Sequence, residues 1–324
     1  MNIAILSNSR YGLPVIQELA TAFSIKSICT GDNNQDAILN FEAYCEKTNT
    51  QFTVLKKKGL EASLTSFLND SAIDVVVVIF FPYKIPASCL TLPKFGFVNV
   101  HFGSLPQMRG ADPVGEAIRQ GLTESAVCIH QMTPEFDKGA ILSQDKVVIP
   151  KNATYGVLMA EMTKKTTNLV RFVLKSLELN RPFKNIEQDE AQAKYYQKLT
   201  TEEHFIDWAN KTAEEIARLV NSLNPNSLMG AYTRIGEWTV GVLNTSIINI
   251  NGDVSTYPPG AILAIDMQYG LVVLTKDGMG LRLEVVRVEE GYFAGHQLSN
   301  FGIQPGMKFE NLTTSAEQNT PSVA

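Results

Sequence analysis

The chain has 324 residues, 44% of them hydrophobic and 19% charged, with a formal net charge of −5. That length is enough for two domains, and that composition excludes a disordered or fibrous chain. The acidic balance argues against general nucleic-acid affinity from bulk electrostatics, and no apolar run approaches the roughly 20 residues of a membrane-spanning helix.

The chain opens on an apolar run, residues 2–7, that ends at polar residues and Gly12. It reads as a buried parallel strand, not a signal peptide. Residues 13–23 place Leu13, Val15, Ile16, Leu19, Ala20 and Phe23 on one helical face. Strands follow at 25–29, 52–55, 75–80 and 97–101, with helices at 35–48 and 60–69 between them. This alternation predicts an α/β fold: a Rossmann-like, doubly wound, mostly parallel sheet with helices on both faces. Two further strands, 125–132 and 141–149, are joined by the loop 133–139. A long helix is expected over 154–179. Residues 181–204 are polar and without clear periodicity, so a linker is placed there between an N-terminal domain (1–180) and a C-terminal domain (205–310). The C-terminal part holds one short helix, 213–223. Short β-like runs follow at 231–235, 238–250, 260–265, 271–275 and 281–288, which predict a small OB-like barrel. The tail 311–324 is polar and expected to be disordered.

Cys29, Cys45, Cys89 and Cys128 show no Cys-x-x-Cys pair and no histidine at a ligand spacing. Reduced thiols in a cytoplasmic protein are expected, and no metal. Open α/β sheets bind ligands at the carboxyl ends of their strands. The first strand-to-helix loop lacks the glycine fingerprint of a dinucleotide site, so no NAD is expected.

The informative stretch is Phe97-Val98-Asn99-Val100-His101-Phe102-Gly103-Ser104-Leu105-Pro106-Gln107-Met108-Arg109-Gly110-Ala111-Asp112-Pro113. Period-two alternation points Asn99 and His101 to one face at a strand's end. A neutral amide donor then sits beside a titratable imidazole, which suits the oxyanion and the proton transfer of acyl-type chemistry. A carboxylate is the natural third member, and Asp137, in Glu135-Phe136-Asp137-Lys138-Gly139, is the best candidate. His130, His204 and His296 have no partner pattern and read as structural or surface residues. Lys56-Lys57-Lys58 reads as a solvated loop face.

The run from Asn99 to Pro113, followed by Met132-Thr133-Pro134-Glu135-Phe136-Asp137-Lys138-Gly139, resembles the signature of the methionyl-tRNA formyltransferase superfamily. Ile206-Asp207-Trp208, Pro259-Gly260 and Asp277-Gly278 are similar to its C-terminal landmarks. The resemblance implies 10-formyltetrahydrofolate as formyl donor and Asn99, His101 and Asp137 as the catalytic triad. The donor would lie against Tyr83-Lys84-Ile85, against Gly103, Ser104, Leu105 and Pro106, and against Thr133, Pro134, Glu135 and Phe136. Arg10, Arg109 and Gly110 are candidate acceptor contacts. One departure is that the serine after the histidine, Ser104, sits one place later than in the family's pattern.

Which amine is formylated is a separate question. From residue 201 on there are 7 Lys and Arg against 14 Asp and Glu, a net of −7. A tRNA partner needs phosphate neutralisation. The loop Thr30–Gln35 carries no positive charge, and Gly291-Tyr292-Phe293 stands where the family has Gly-Lys-Lys. A small-molecule amine, such as a nucleotide-linked amino sugar, is therefore the expected partner. Methionyl-tRNA is the alternative, and water, which would make the protein a formyltetrahydrofolate hydrolase, is another. A non-catalytic folate-binding protein is disfavoured by the complete triad. Neither the oligomeric state nor the role of the C-terminal domain follows from the sequence.

Overall fold

Runs of β-branched residues make the central strands. The computed structural model describes residues 1–181, 184–225 and 227–311, so the tail beyond Asn311 lies outside the described residues. β1 (Ile3–Ser7) is buried along its whole length. β2 (Ile25–Gly31) and β3 (Gln51–Leu55) lie to one side of it, and β4 (Val75–Ile79), also wholly buried, lies to the other. Continuous burial is what strands covered on both faces require. β5 (Phe97–His101) extends the parallel set. After the two-residue β6 (Arg109–Gly110) come β7 (Glu124–Gln131) and β8 (Ile141–Val148), which pair antiparallel at the edge. The order is β3-β2-β1-β4-β5-β7-β8.

The helices turn apolar faces inward. α1 (Gly12–Ala20) buries Val15, Ile16 and Leu19 of the face read from the sequence, while Leu13 is half-buried and Ala20, at the helix end, is exposed; α2 (Gln35–Thr48) buries Ala37, Phe41 and Cys45. The Asn34 side chain caps α2 by accepting the Ala37 N–H at 3.2 Å. α3 (Leu60–Asp70) buries Leu64, Phe67 and Leu68. α4 (Pro113–Arg119) is too short for its period to stand out in the sequence, while α5 (Tyr155–Glu178) fills the long helical stretch. All four cysteines are buried free thiols. Among the described residues no helix is long and apolar enough to cross a membrane.

The chain divides into two compact units. Among the described residues, the first comprises those of Met1–Pro113, Glu124–Val148 and Met159–Gln197; the second comprises those of Val114–Thr123, Ile149–Leu158 and from Lys198 on. The described residues of 181–197, expected to be linker, therefore belong to the first unit. There β9 (Tyr195–Tyr196) pairs in parallel with β6. Their polar residues are used for hydrogen bonds and not for an apolar stripe, so they carry no periodic signal.

In the second unit α6 (Ala213–Leu223) opens on a capping box formed by Thr212 and Glu215. β10 (Ala231–Ile235), β11 (Trp238–Ile248), β12 (Ile262–Asp266), β13 (Gly270–Leu274) and β14 (Gly280–Val288) form an antiparallel sheet in the order β10-β11-β14-β13-β12. β15 (Gly291–Ala294) is added on β14. Trp208 is fully buried, stacks on Phe309 and donates its indole N–H to Thr233 Oγ1 at 2.9 Å. That bond satisfies its one polar group inside the core.

Candidate active site

β5 delivers Asn99 and His101 to one face at its carboxyl end. His101 is only 5% exposed. Its Nε2 lies 2.6 Å from the Met108 carbonyl oxygen. A carbonyl only accepts, so Nε2 carries the proton and Nδ1 is the nitrogen left for chemistry. Gly103 makes this approach possible. A Cβ there would stand 3.0 Å from the Met108 oxygen and 3.1 Å from His101 Nε2.

Asp137 comes from the loop between β7 and β8, with its backbone in the left-handed region at φ 56°. Its Oδ2 accepts the Gly110 N–H at 2.9 Å. Its Oδ1 lies 3.6 Å from His101 Nδ1 and 3.6 Å from His130 Nε2. Burial of Asp137 alone would raise its pKa, but the facing imidazoles and the Gly110 N–H outweigh this and hold it at about 2. Burial pushes the His101 pKa below its ordinary 6.5, and the Asp137 carboxylate opposes that shift. At neutral pH the pair is thus an ionised carboxylate beside a neutral imidazole.

His130, expected to be a structural or surface residue, belongs to this cluster. The β5–β7 register sets it opposite Asn99. Its Nδ1 donates to the Gln131 carbonyl at 3.0 Å, which leaves Nε2 to accept from the Asn99 amide, also at 3.0 Å.

A family profile described as formyl transferase matches residues 21–174, and one described as formyl transferase, C-terminal domain, matches residues 198–296. The chain belongs to the formyl transferase family. It is 31% identical to the methionyl-tRNA formyltransferase of Acidithiobacillus ferrooxidans over 74% of this chain and 73% of that one. The fold is shared with HypX from Aquifex aeolicus, solved with tetrahydrofolic acid (TM-score 0.64, 19% identity, covering 92% of this chain and 47% of that one). It is also shared with an N-formyltransferase from Helicobacter canadensis, solved with folinic acid and dTDP-3-aminofucose (TM-score 0.63, 14% identity, covering 86% and 97%).

Within this formyl transferase the remaining candidate residues divide into two sets. Among the three segments expected to hold the donor, Gly103 lies against His101 and the loop after β4 meets the aspartate loop. Lys84 Nζ is 5.4 Å above the Phe136 ring, which links the loop after β4 to the aspartate loop. Ile85, Gly103, Leu105 and Pro106 are buried, Ser104, Tyr83 and Thr133 are half-buried, and Pro134, Glu135 and Phe136 are exposed. The Thr133 hydroxyl donates to the Glu135 carbonyl at 3.1 Å, and Tyr83 donates to Asp32. The candidate acceptor contacts are placed differently from one another. Arg10 is exposed beside Tyr11. Arg109 is fully buried and its guanidinium is engaged by Gln188, Glu190 and Tyr195, so it faces protein where an acceptor contact was expected. Gly110 presents its N–H to Asp137.

A cavity of about 400 Å³ opens beside the aspartate loop, lined by Thr133, Lys138, Leu142, Leu177 and Asn185 among others. Asn99, His101 and Asp137 do not line it. Among the described residues no group of three His, Cys, Asp or Glu is arranged to hold a metal ion.

Proposed function

We propose that this formyl transferase moves the formyl group of 10-formyltetrahydrofolate to the primary amine of a small molecule, with Asn99, His101 and Asp137 as its catalytic residues. The observation that carries the reading is the fixed imidazole. Its Nε2–H is tied to Met108 and its Nδ1 is aimed at an ionised carboxylate. The amine nitrogen attacks the formyl carbon, a C–N bond forms, and the carbonyl electrons move to oxygen. The Asn99 amide stabilises that oxyanion. The attack leaves the nitrogen as an ammonium, His101 Nδ1 takes its proton, and Asp137 stabilises the imidazolium that results. Collapse breaks the bond to the folate N10, which takes the proton from His101, giving the formamide and tetrahydrofolate. The donor site is supported by the contact of the loop after β4 with the aspartate loop and by the closeness of Gly103 to His101, with main-chain groups of these loops for the polar edge of the ring.

The small-molecule acceptor is supported by charge. The net of −7 from residue 201 on is reinforced by pairing, because Lys211, Arg218 and Arg282 face Glu215, Glu214 and Glu284. Only residues 32–34 separate β2 from α2, and they hold Asp32, Asn33 and Asn34. Amino nucleotide-sugars are the class to test first, since a neighbour of the same fold was solved with one. A second reading, formylation of methionyl-tRNA, is favoured by the name of the 31%-identical relative. Exposed Lys56, Lys57 and Lys58 also follow β3 at the carboxyl end of the parallel strands, the end at which β5 reaches His101 four strands away. Tetrahydrofolate release with each acceptor decides between them, and formate release without any amine would mark a hydrolase.

A further inference from the structure

We propose that Gln188 and Arg109 are positioning residues for the catalytic aspartate, and that the described residues of 181–197 form a strap holding Asp137 in its reactive pose. This rests on the reading that Asp137 acts in catalysis. Asp137 has a left-handed backbone, which a non-glycine residue keeps only when its surroundings hold it. Gln188 supplies that hold. Its side-chain Nε2 donates to the Asp137 carbonyl at 2.7 Å and to the Gly139 carbonyl at 2.8 Å, so one amide grips both ends of the turn. Its Oε1 accepts from Arg109 Nε at 3.0 Å and Nη2 at 2.9 Å.

Arg109 closes the network. Its other donors reach Glu190 Oε1 at 2.7 Å, Glu190 Oε2 at 3.1 Å and the Tyr195 hydroxyl at 2.9 Å, so all five guanidinium N–H groups are used. The main chain of the same dipeptide completes the hold. Gly110 N–H donates to Asp137 Oδ2, while Arg109 N–H and Ala111 N–H donate to the strap carbonyls of Lys194 and Tyr196. Both the carboxylate and the backbone of Asp137 are thus fixed by Arg109-Gly110, one directly and one through Gln188.

Only glutamine fits this place, because the side chain must donate to two carbonyls and accept from a cation. Glutamate would keep the Arg109 pairing and set a carboxylate oxygen against two carbonyl oxygens. Gln188→Glu therefore separates two roles: a strap that merely fastens the chain survives it, and a strap that positions Asp137 does not. Gln188→Leu removes both functions at similar volume.

The test follows His101 by NMR. The titratable and charged groups facing the pair are His130 from β7 and Arg109 from β6; Glu190 and Tyr195 of the strap meet Arg109, and Lys138 of the aspartate loop pairs with Glu190. In Gln188→Glu and Gln188→Leu the His101 titration midpoint is expected to fall by about half a pH unit or more as the carboxylate drifts away. Amine-dependent tetrahydrofolate release is expected to fall about tenfold or more. Binding of folinic acid, the donor-site probe, is expected to stay within about twofold of wild type in the same assay. Arg109→Lys keeps the charge and loses the fork. It carries the same expectation should the Gln188 variants fail to fold. Wild-type midpoint and turnover in a folded variant would overturn the proposal. Asp137→Asn is run beside them. If it shifts the midpoint and abolishes turnover while Gln188 variants do neither, the positioning role fails and the catalytic reading stands. If Asp137→Asn leaves both unchanged, the catalytic reading itself fails.

Discussion

Replacing Asp137 by asparagine keeps the shape of the side chain and removes its charge. In the reaction argued above, His101 becomes an imidazolium with its Nδ1 3.6 Å from the Asp137 carboxylate. Two unit charges at that distance, with an effective permittivity of about 20, attract by about 4 to 5 kcal/mol. At 1.36 kcal/mol per decade this is about a thousandfold in rate. The asparagine oxygen still accepts the Gly110 N–H, so the loop is expected to stay in place. Turnover of Asp137→Asn is therefore expected to fall about a thousandfold, with the KM for 10-formyltetrahydrofolate within a few-fold of wild type. The assay is tetrahydrofolate release under saturating amine. A variant within tenfold of wild type would refute the charge argument.

The pH profile follows from the same pair. The neutral imidazole is the active form and its pKa is depressed, so kcat/KM for 10-formyltetrahydrofolate, measured with the unprotonated amine kept saturating at every pH, should rise with pH through a midpoint below 6.5 and stay level above it. Asp137, held at about 2, is ionised throughout and sets no limb. A midpoint above 6.5 would contradict this. His130→Phe keeps an aromatic ring and removes the acceptor for the Asn99 amide, so kcat should fall by about tenfold, one hydrogen bond's worth; an unchanged kcat would return His130 to a packing role. Gly110→Ala should destabilise by about 3 kcal/mol or more in denaturant unfolding. Its φ is 111° and the new Cβ would stand 2.1 Å from the Tyr196 oxygen. A melt matching wild type would mean that β9 does not press on β6.

The parts of this molecule that repeat were readable in the chain. Val75–Ile79 is a buried strand because all five of its residues are β-branched, and Asn99 and His101 share a face because strands alternate. Asp137 was accessible through its loop between two strands. His130 was not, because what makes it matter is the antiparallel register that sets it opposite Asn99, 31 residues away in sequence. Once β5 and β7 were paired, alternation along β7 would have found it. Gln188 was hidden for a different reason. The segment around it folds by side-chain hydrogen bonds to the loop 137–139 and to Arg109, and such bonds leave no period in the sequence. Arg109 misled for the same reason. An arginine before a glycine reads as a ligand contact until its five donors are accounted for within the protein.

The most direct test of the whole account is tetrahydrofolate release from 10-formyltetrahydrofolate by the wild-type protein, with a panel of amino nucleotide-sugars in one arm and methionyl-initiator-tRNA in the other. The account predicts release that requires an amino sugar and is lost in His101→Ala. Release with the charged tRNA alone, or formate from the donor without any amine, would contradict it.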